Sequence, residues 1–337
     1  MKVRENPSLD GLNTFGIRAS ASLGIEIETE EDLLSVPVFN PSRDLVLGGG
    51  SNVVLVSDIP GTVYLNRIMG IDVVGDDGDS CLVEVGAGES WHGLVQWSLE
   101  NGLSGLENLS LIPGCAGAAP IQNIGAYGVE LESVVDRVSC WDWQTLSWTS
   151  FTREDCTFSY RDSRFKSREA GRYLVTSIRL RLARNFIPKL SYSGLQDELL
   201  KTGVQNPSAQ DVSEAVIRLR RSKLPDPQVR GNAGSFFKNP VVTSGKAEKL
   251  LIDHPALPAW AQHNSETKLS AAWMIEQCGL KGTTVGDAEV SRQHALVLVN
   301  GGNASGHEVA ELAAKVQSRV QDEFGVELEP EPQLLRF

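Results

Sequence analysis

The run Pro113-Gly-Cys-Ala-Gly-Ala-Ala-Pro-Ile-Gln-Asn-Ile-Gly-Ala-Tyr-Gly128 decides how the first half of this chain is read. Its glycines let backbone approach a neighbour where a Cβ would collide, and they open left-handed conformations to the loop. Two shorter runs, Gly48-Gly-Gly-Ser-Asn52 and Gly86-Ala-Gly-Glu-Ser90, share that texture. Successive backbone N–H groups in such loops form concave sites for anions such as phosphate, with no lysine required. Neither common nucleotide motif is met. No Gly-Lys-Ser/Thr closes the loop after Gly48, and Trp91 stands where a Gly-x-Gly-x-x-Gly fingerprint begun at Gly86 needs its third glycine. A lone loop of this kind is more often an ordinary tight turn; three in one half of the chain weigh against that.

Around these loops the pattern is of short strands. Leu45-Val-Leu47, Val53-Val-Leu-Val56, Val63-Tyr-Leu65 and Leu82-Val-Glu-Val85 predict strands, as do residues 134–143 and 174–182. In the last of these Ile178, Leu180 and Leu182 alternate with Arg179 and Arg181, so one face is solvated. A helix is expected from Ser90 to Leu99, stopped by Asn101-Gly102. Beyond residue 208 helical spacing takes over. Ser208-Ala-Gln-Asp211 opens one helix, with Val212, Ala215, Val216 and Leu219 on one face; Ser305-Gly-His-Glu308 opens another, with Val309, Leu312, Ala313, Val316 and Val320. Residues 270–279 predict a short helix between them, and 295–299 a buried strand. The mixture predicts an α+β protein with a boundary near Lys223-Leu-Pro-Asp-Pro-Gln228.

A chain of 337 residues with 41% hydrophobic composition has material for two or three domains, each with its own core. Acidic residues outnumber basic ones 43 to 31, and the net charge of -12 opposes attraction to nucleic acid or anionic lipid. No nucleic-acid or membrane partner is expected. The five cysteines (Cys81, Cys115, Cys140, Cys156 and Cys278) are odd in number and scattered, without Cys-x-x-Cys or nearby ligand-spaced histidines. Reduced thiols and no metal site are expected. The first residues carry no apolar signal core, and no run approaches the roughly 18 apolar residues of a membrane span. A soluble cytoplasmic enzyme is the expectation.

The second half holds another informative stretch, Gly231-Asn-Ala-Gly-Ser-Phe-Phe-Lys-Asn-Pro240. It sets Ser235 between permissive glycine and aromatic bulk, with Phe236 and Phe237 to exclude water and Lys238 and Asn239 as donors. Just upstream, Arg220-Arg-Ser-Lys-Leu-Pro-Asp-Pro227 gathers Arg220, Arg221 and Lys223 at a helix end stopped by Pro225. The bland alternative for Ser235 is a turn hydroxyl satisfying backbone. None of His92, His254, His263, His294 and His307 is marked as its base, and no Gly-x-Ser-x-Gly elbow occurs, so a Ser-His-Asp hydrolase has little support.

Together these two stretches closely resemble the substrate loop of the UDP-N-acetylenolpyruvoylglucosamine reductase family, flavoenzymes of peptidoglycan precursor synthesis. The runs at 48–52 and 112–128 resemble that family's flavin-binding loops, with Cys115 and Ala116 where its pattern has Ser-Val. The resemblance extends from Asn13-Thr-Phe15 to Glu331. It implies a three-domain α+β flavoprotein whose FAD-binding fold is of the vanillyl-alcohol-oxidase/PCMH type. Residues 1–67 with 326–337 would form the first FAD-binding subdomain, 68–222 the second, and 223–325 the substrate domain. By the same resemblance FAD would lie on Gly48, Gly49, Gly50, Ser51, Asn52, Pro113, Gly114, Gly117, Ala118, Ile121, Asn123 and Gly125. NADPH would reduce the flavin and leave; the UDP-sugar enolpyruvyl ether would then enter the same cleft and become the lactyl ether.

Hydride addition to an enolpyruvyl ether puts negative charge on carbon beside a carboxylate, so the site needs a cation and an acid. The resemblance implies Arg161, in Ser159-Tyr-Arg-Asp-Ser163, as the cation, and its planar guanidinium suits bidentate contact with a carboxylate. It implies Ser235 as proton donor and Glu331, in Leu328-Glu-Pro-Glu-Pro332, as the catalytic carboxylate, with Glu329 as rival; Pro332 departs from the family's usual continuation. Taken alone, these pentapeptides also fit a surface arginine paired with Asp162 and a solvated acidic tail. Lys223 and Arg220 are implied to meet the diphosphate, lysine suiting phosphate as a mobile point charge. Tyr192, in Leu190-Ser-Tyr-Ser-Gly194, resembles the tyrosine that folds over the UDP-sugar in the family's longer form, and Asn239 would hydrogen-bond in the same site. A monomer is expected. Two other readings stay open: an FAD oxidase of the related superfamily acting on another small substrate, and a non-catalytic nucleotide-binding module.

Overall fold

Strands β1 (Lys2–Glu5), β2 (Ala21–Ile27), β3 (Leu45–Leu47) and β4 (Val53–Leu55) precede the longer β5 (Ile59–Asn66) in a computed structural model that describes residues 1–192, 194–262 and 264–337. The first sheet has the order β1-β2-β5-β3, with β5 parallel to both β2 and β3. β4 leaves this sheet, so the first glycine run is the crossing between two sheets.

The hairpin β6 (Ile71–Asp76) and β7 (Ser80–Gly86) leads into α1 (Trp91–Glu100). Ser90 Oγ accepts the Gly93 N–H at the start of α1, and Gly102, at φ +68°, follows its end, as the sequence predicts. The long glycine run is mostly coil, with one 3-10 turn at Ala116–Ala118, and closes in the two-residue strands β8 (Gly125–Ala126) and β9 (Val129–Glu130). β10 (Val135–Asp142), β11 (Ser147–Thr152) and β12 (Tyr173–Ala183) complete a second sheet of order β11-β10-β12-β7-β6. Ile178, Leu180 and Leu182 are fully buried beneath it, while Arg179 and Arg181 pair with Glu84 and Asp136. The alternation read in the sequence is therefore real.

Two more helices follow, α2 (Leu195–Lys201) and α3 (Ala209–Lys223), the second opened by a complete capping box between Ser208 and Asp211. β13 (Val241–Thr243), α4 (Ser244–Asp253), β14 (Ala259–Ala261) and β15 (Glu266–Leu269) build a small antiparallel sheet of order β13-β15-β14 with its helix. α5 (Ala271–Gln277) is followed by the three-stranded sheet β16 (Thr284–Val285), β17 (Ala288–Val290) and β18 (Leu298–Asn300). The buried strand expected at 295–299 is shorter than predicted. Ala295, Leu296 and Val297 are buried, but Val297 N–H turns back to His294 O, so the ladder begins only at Leu298.

α6 (Gly306–Phe324) carries the other capping box, Ser305 with Glu308, and ends on Gly325 at φ +62°. Val309, Leu312, Val316 and Val320 are fully buried in one cluster with Leu47, Val54, Val63, Phe236 and Phe237. Each such side chain contributes about 1.5–3 kcal/mol by leaving water, so α6 clamps the first sheet to the Ser235 loop. The last strand, β19 (Gln333–Leu335), runs parallel to β4. Among the described residues no helix is long and apolar enough to cross a membrane, and no group of three His, Cys, Asp or Glu could hold a metal ion.

Candidate active site

The first glycine run crosses from β3 to β4 and the second packs against it. A Cβ on Gly49 would stand 2.7 Å from Gly114 Cα, and one on Gly48 would stand 2.2 Å from Cys115 Sγ. Only glycine lets the loops close this far. Ser51 Oγ ties them by donating to Pro113 O at 3.0 Å. The backbone N–H groups of Gly49, Gly50, Ser51, Asn52, Gly114 and Cys115 donate to no other described residue, which leaves a row of open donors suited to an anion.

The third run behaves otherwise. The N–H groups of Gly86, Ala87, Gly88 and Glu89 bond to the carbonyls of Gly70, Thr176, Ile68 and Gly86. Those four donors are spent within the protein, and Gly88 is there because a Cβ would meet Arg67 backbone at 2.7 Å. Of the three loops read as phosphate sites, this one is a packing turn.

The two open loops wall a cleft with about 1310 Å³ of empty space counted to its mouth. A second cavity, with about 910 Å³ of empty space counted to its mouth, shares Gly48, Cys115, Ala118 and Lys166 with the first and is lined by Phe39, Phe165 and Tyr173. Paired cavities that share glycine-rich walls, with open backbone donors and no Cβ in the way, fit an elongated dinucleotide such as FAD. Gly48, Gly49, Gly50, Ser51, Asn52, Pro113, Ala118, Ile121 and Gly125 line the first cavity, and Gly117 the second. Gly114 backs Gly49. Asn123 is different: its side chain is buried, donating to Glu130 Oε2 and Ser159 O and accepting from Glu132 N–H. It latches the loop and does not face the cleft. Gln122, Lys166 and Gln333 line the cleft without having been marked by the sequence.

Arg161, Ser235 and Glu331 come to this cleft from three segments. The tail pairs with the Ser235 loop: Glu331 N–H donates to Phe236 O at 2.8 Å, and Lys238 N–H to Glu329 O at 2.9 Å. Glu331 Oε1 lies 2.7 Å from Arg161 Nε, with side-chain exposures of only 15% and 17%. The Nε–H itself is not aimed at that oxygen and has no acceptor, so the pair is held by charge and proximity, not by a directed hydrogen bond. Arg161 Nη2 donates to Gly125 O at 2.7 Å. Its backbone sits at φ +56°, an uncommon state for a non-glycine residue, fixed by reciprocal backbone bonds between Ser159 and Asp162.

The surface pairing of Arg161 with Asp162 is not formed; Asp162 accepts from Ser167 Oγ instead. Glu329 pairs with Lys238 and its side chain is 68% exposed, so Glu331 is the glutamate that faces the cleft. Ser235 hydrogen-bonds no other described residue. Burial pushes the Tyr160 phenol up, and it raises the Glu130 carboxyl in spite of nearby Arg161.

Arg220 lines the same cleft, its Nε buried and without a partner, and burial pulls its pKa down. Lys223 ends α3 with Nζ 5.5 Å from the centre of the Tyr192 ring, which packs edge-on against Tyr127 at 4.8 Å. Lys223 and Tyr192 therefore form a pair outside the cleft lining. Asn239 Oδ1 accepts the Ala271 N–H at the start of α5, and its amide nitrogen bonds no other described residue and is left for a ligand. None of the described histidines lines the cleft: His92 Nδ1 accepts Leu111 N–H, His294 Nδ1 accepts Leu296 N–H, and His254 packs against Trp273 and Phe324. His263 lies outside the described residues.

The family described as "FAD binding domain" matches residues 25–144, and that described as "UDP-N-acetylenolpyruvoylglucosamine reductase, C-terminal domain" matches residues 226–335. The chain is 47% identical over 339 aligned residues to the UDP-N-acetylenolpyruvoylglucosamine reductase of Chromobacterium violaceum, covering 99% of each. Its structure is similar to that of UDP-N-acetylenolpyruvylglucosamine reductase from Thermus caldophilus, with TM-score 0.67, 28% identity, and 99% and 98% of the two chains covered. A likeness of fold alone links it to 6-hydroxy-D-nicotine oxidase from Arthrobacter nicotinovorans, with TM-score 0.52, 12% identity, and 97% and 86% covered. The fold is the expected α+β one, with an FAD-binding part of the oxidase type.

Proposed function

We propose, from the fact that the chain belongs to the UDP-N-acetylenolpyruvoylglucosamine reductase family of FAD-dependent oxidoreductases, that it reduces UDP-N-acetylglucosamine enolpyruvate to UDP-N-acetylmuramate with NADPH as hydride source. The observation that carries the reading is the meeting of Arg161, Ser235 and Glu331, far apart in sequence, in one cleft with the open backbone donors of Gly49 to Asn52. FAD, held on those donors and on Gly114 and Cys115, supplies the hydride transfer when bound. The chain's own residues supply placement and charge. Arg161 meets the substrate carboxylate and stabilises the negative charge that develops beside it. Glu331, 2.7 Å away, keeps that guanidinium in the cleft. The Ser235 hydroxyl gives its proton to the carbon next to the carboxylate.

In the same reading Arg220 and Lys223 take the diphosphate, Tyr192 closes over the sugar nucleotide, and the Asn239 amide donates to it. Residues 1–67 with 326–337, residues 68–222 and residues 223–325 act as the two FAD-binding subdomains and the substrate domain. The enzyme works as a cytoplasmic monomer in peptidoglycan precursor synthesis, without nucleic acid or membrane; a net charge of -12 supports the absence of polyanion partners. A spectroscopic titration tests this. The protein should purify yellow, bleach anaerobically with NADPH, and regain its colour on addition of the enolpyruvyl UDP-sugar. Reoxidation by oxygen with indifference to the sugar nucleotide would favour an oxidase and sink the proposal.

A further inference from the structure

Lys166 is a half-buried cation without a carboxylate partner. Its Nζ donates to Arg161 O at 3.0 Å and lies 3.5 Å from Gln122 Oε1, both neutral acceptors, and it forms no ion pair with another described residue. Gln122 Oε1 also accepts Asn52 Nδ2 at 2.8 Å, so the ammonium is wired to the first glycine loop. Among the described residues Lys166 is the one charged side chain that lines both cavities, and the one charged side chain of the second. The walls it shares between them include Gly48 and Cys115, at the row of open backbone donors. Withdrawing an ammonium from water to face only neutral acceptors costs free energy that an anion at the same place offsets. Burial lowers its pKa, with Lys238 as the next cause; Glu331, Glu329 and Asp162, none of them in an ion pair with it, offset this only in part.

We infer that Lys166 is the counter-charge of the bound dinucleotide's diphosphate, at the join of the two cavities where the open backbone donors lie. The open N–H groups supply direction and Lys166 supplies net charge. This rests on the reading of the cleft as the FAD site and adds a residue that neither glycine run contains.

Titration of the full-length chain, freed of flavin, with FAD tests the assignment in the wild type and in Lys166→Gln, Lys166→Arg and Lys166→Met. Glutamine keeps a hydrogen-bond donor for Arg161 O and removes the charge; arginine keeps the charge. Loss of one charge-assisted contact should weaken FAD binding roughly ten- to a hundredfold in the glutamine and methionine variants. Arginine should stay close to wild type, and the gap between wild type and glutamine should narrow as salt rises. Should methionine prevent folding, the glutamine and arginine pair still decides. Wild-type affinity in Lys166→Gln, or an equal loss in Lys166→Arg, overturns the inference and assigns Lys166 to propping the Arg161 turn. A wild-type chain that takes up no FAD overturns the reading of the cleft as well.

Discussion

Replacing Gly49 by alanine should open the anion cradle while leaving most of the protein intact. The new Cβ would stand 2.7 Å from Gly114 Cα and 3.1 Å from Gly114 C. These are backbone atoms of the facing loop, not the far end of a flexible side chain. Relief to ordinary contact requires the two loops to separate by about 0.7 Å, and such overpacking typically costs about 1–3 kcal/mol. The larger effect falls on the cofactor. An oxygen held between the donors of Gly49 to Asn52 and those of Gly114 and Cys115 would lose hydrogen-bond distance to one set. Each charge-assisted bond lost weakens binding by about 1.5–3 kcal/mol, roughly ten- to a hundredfold.

Gly245→Ala is the matched control. It lies in the first turn of α4, where an added Cβ meets nothing within 4 Å. That change should stabilise by about 0.4–1 kcal/mol through the unfolded chain. Flavin absorbance per protein after purification, together with a thermal melt, reads both effects. Gly49→Ala retaining full flavin and the wild-type melting temperature would refute the reasoning, because the loops would then have room that the structure denies them.

Glu331→Gln should slow reoxidation of the flavin by the sugar nucleotide at least roughly tenfold in stopped flow, whereas Glu329→Gln, which changes a 68%-exposed side chain outside the cleft lining, should leave it near normal; the reverse ranking would assign the role to Glu329. Burial pushes the Cys156 thiol from 9.0 up to about 12. The unfolded thiol ionises first, so the stability due to the neutral form is complete below pH 9.0 and is lost as pH rises towards about 12. Denaturant midpoints at about pH 8 and about pH 10 should therefore differ more in the wild type than in Cys156→Ala, and equal differences would contradict the linkage.

The loops at 48–52 and 113–128 are legible in sequence because close backbone approach admits glycine and little else. The capping boxes at Ser208 and Ser305 are legible because their partners stand three residues away. What escapes is set by distant segments. The fate of the Gly86 to Glu89 donors depends on carbonyls of Ile68, Gly70 and Thr176 as well as Gly86 itself, so a run with the texture of a phosphate loop becomes a packing turn. The choice between Glu329 and Glu331 depends on which tail backbone group meets the Phe236 loop. β1 and β2 carry no strong alternation, and α4 buries only Ala247, so neither shows a clear period. Lys166 follows the Tyr-Arg motif closely but is marked only by the absence of a carboxylate partner, which no sequence pattern reveals.

The central claim, that Ser235 is the proton donor to the sugar nucleotide, is tested most directly by stopped-flow measurement of the two half-reactions in Ser235→Ala. Flavin reduction by NADPH requires no protein acid and should run at close to the wild-type rate. Reoxidation by the enolpyruvyl UDP-sugar should fall about a hundred- to ten-thousandfold, the range general acid catalysis supplies, and Ser235→Cys, which keeps a proton at that position, should retain more of it. Equal slowing of both half-reactions, or of neither, would contradict the account.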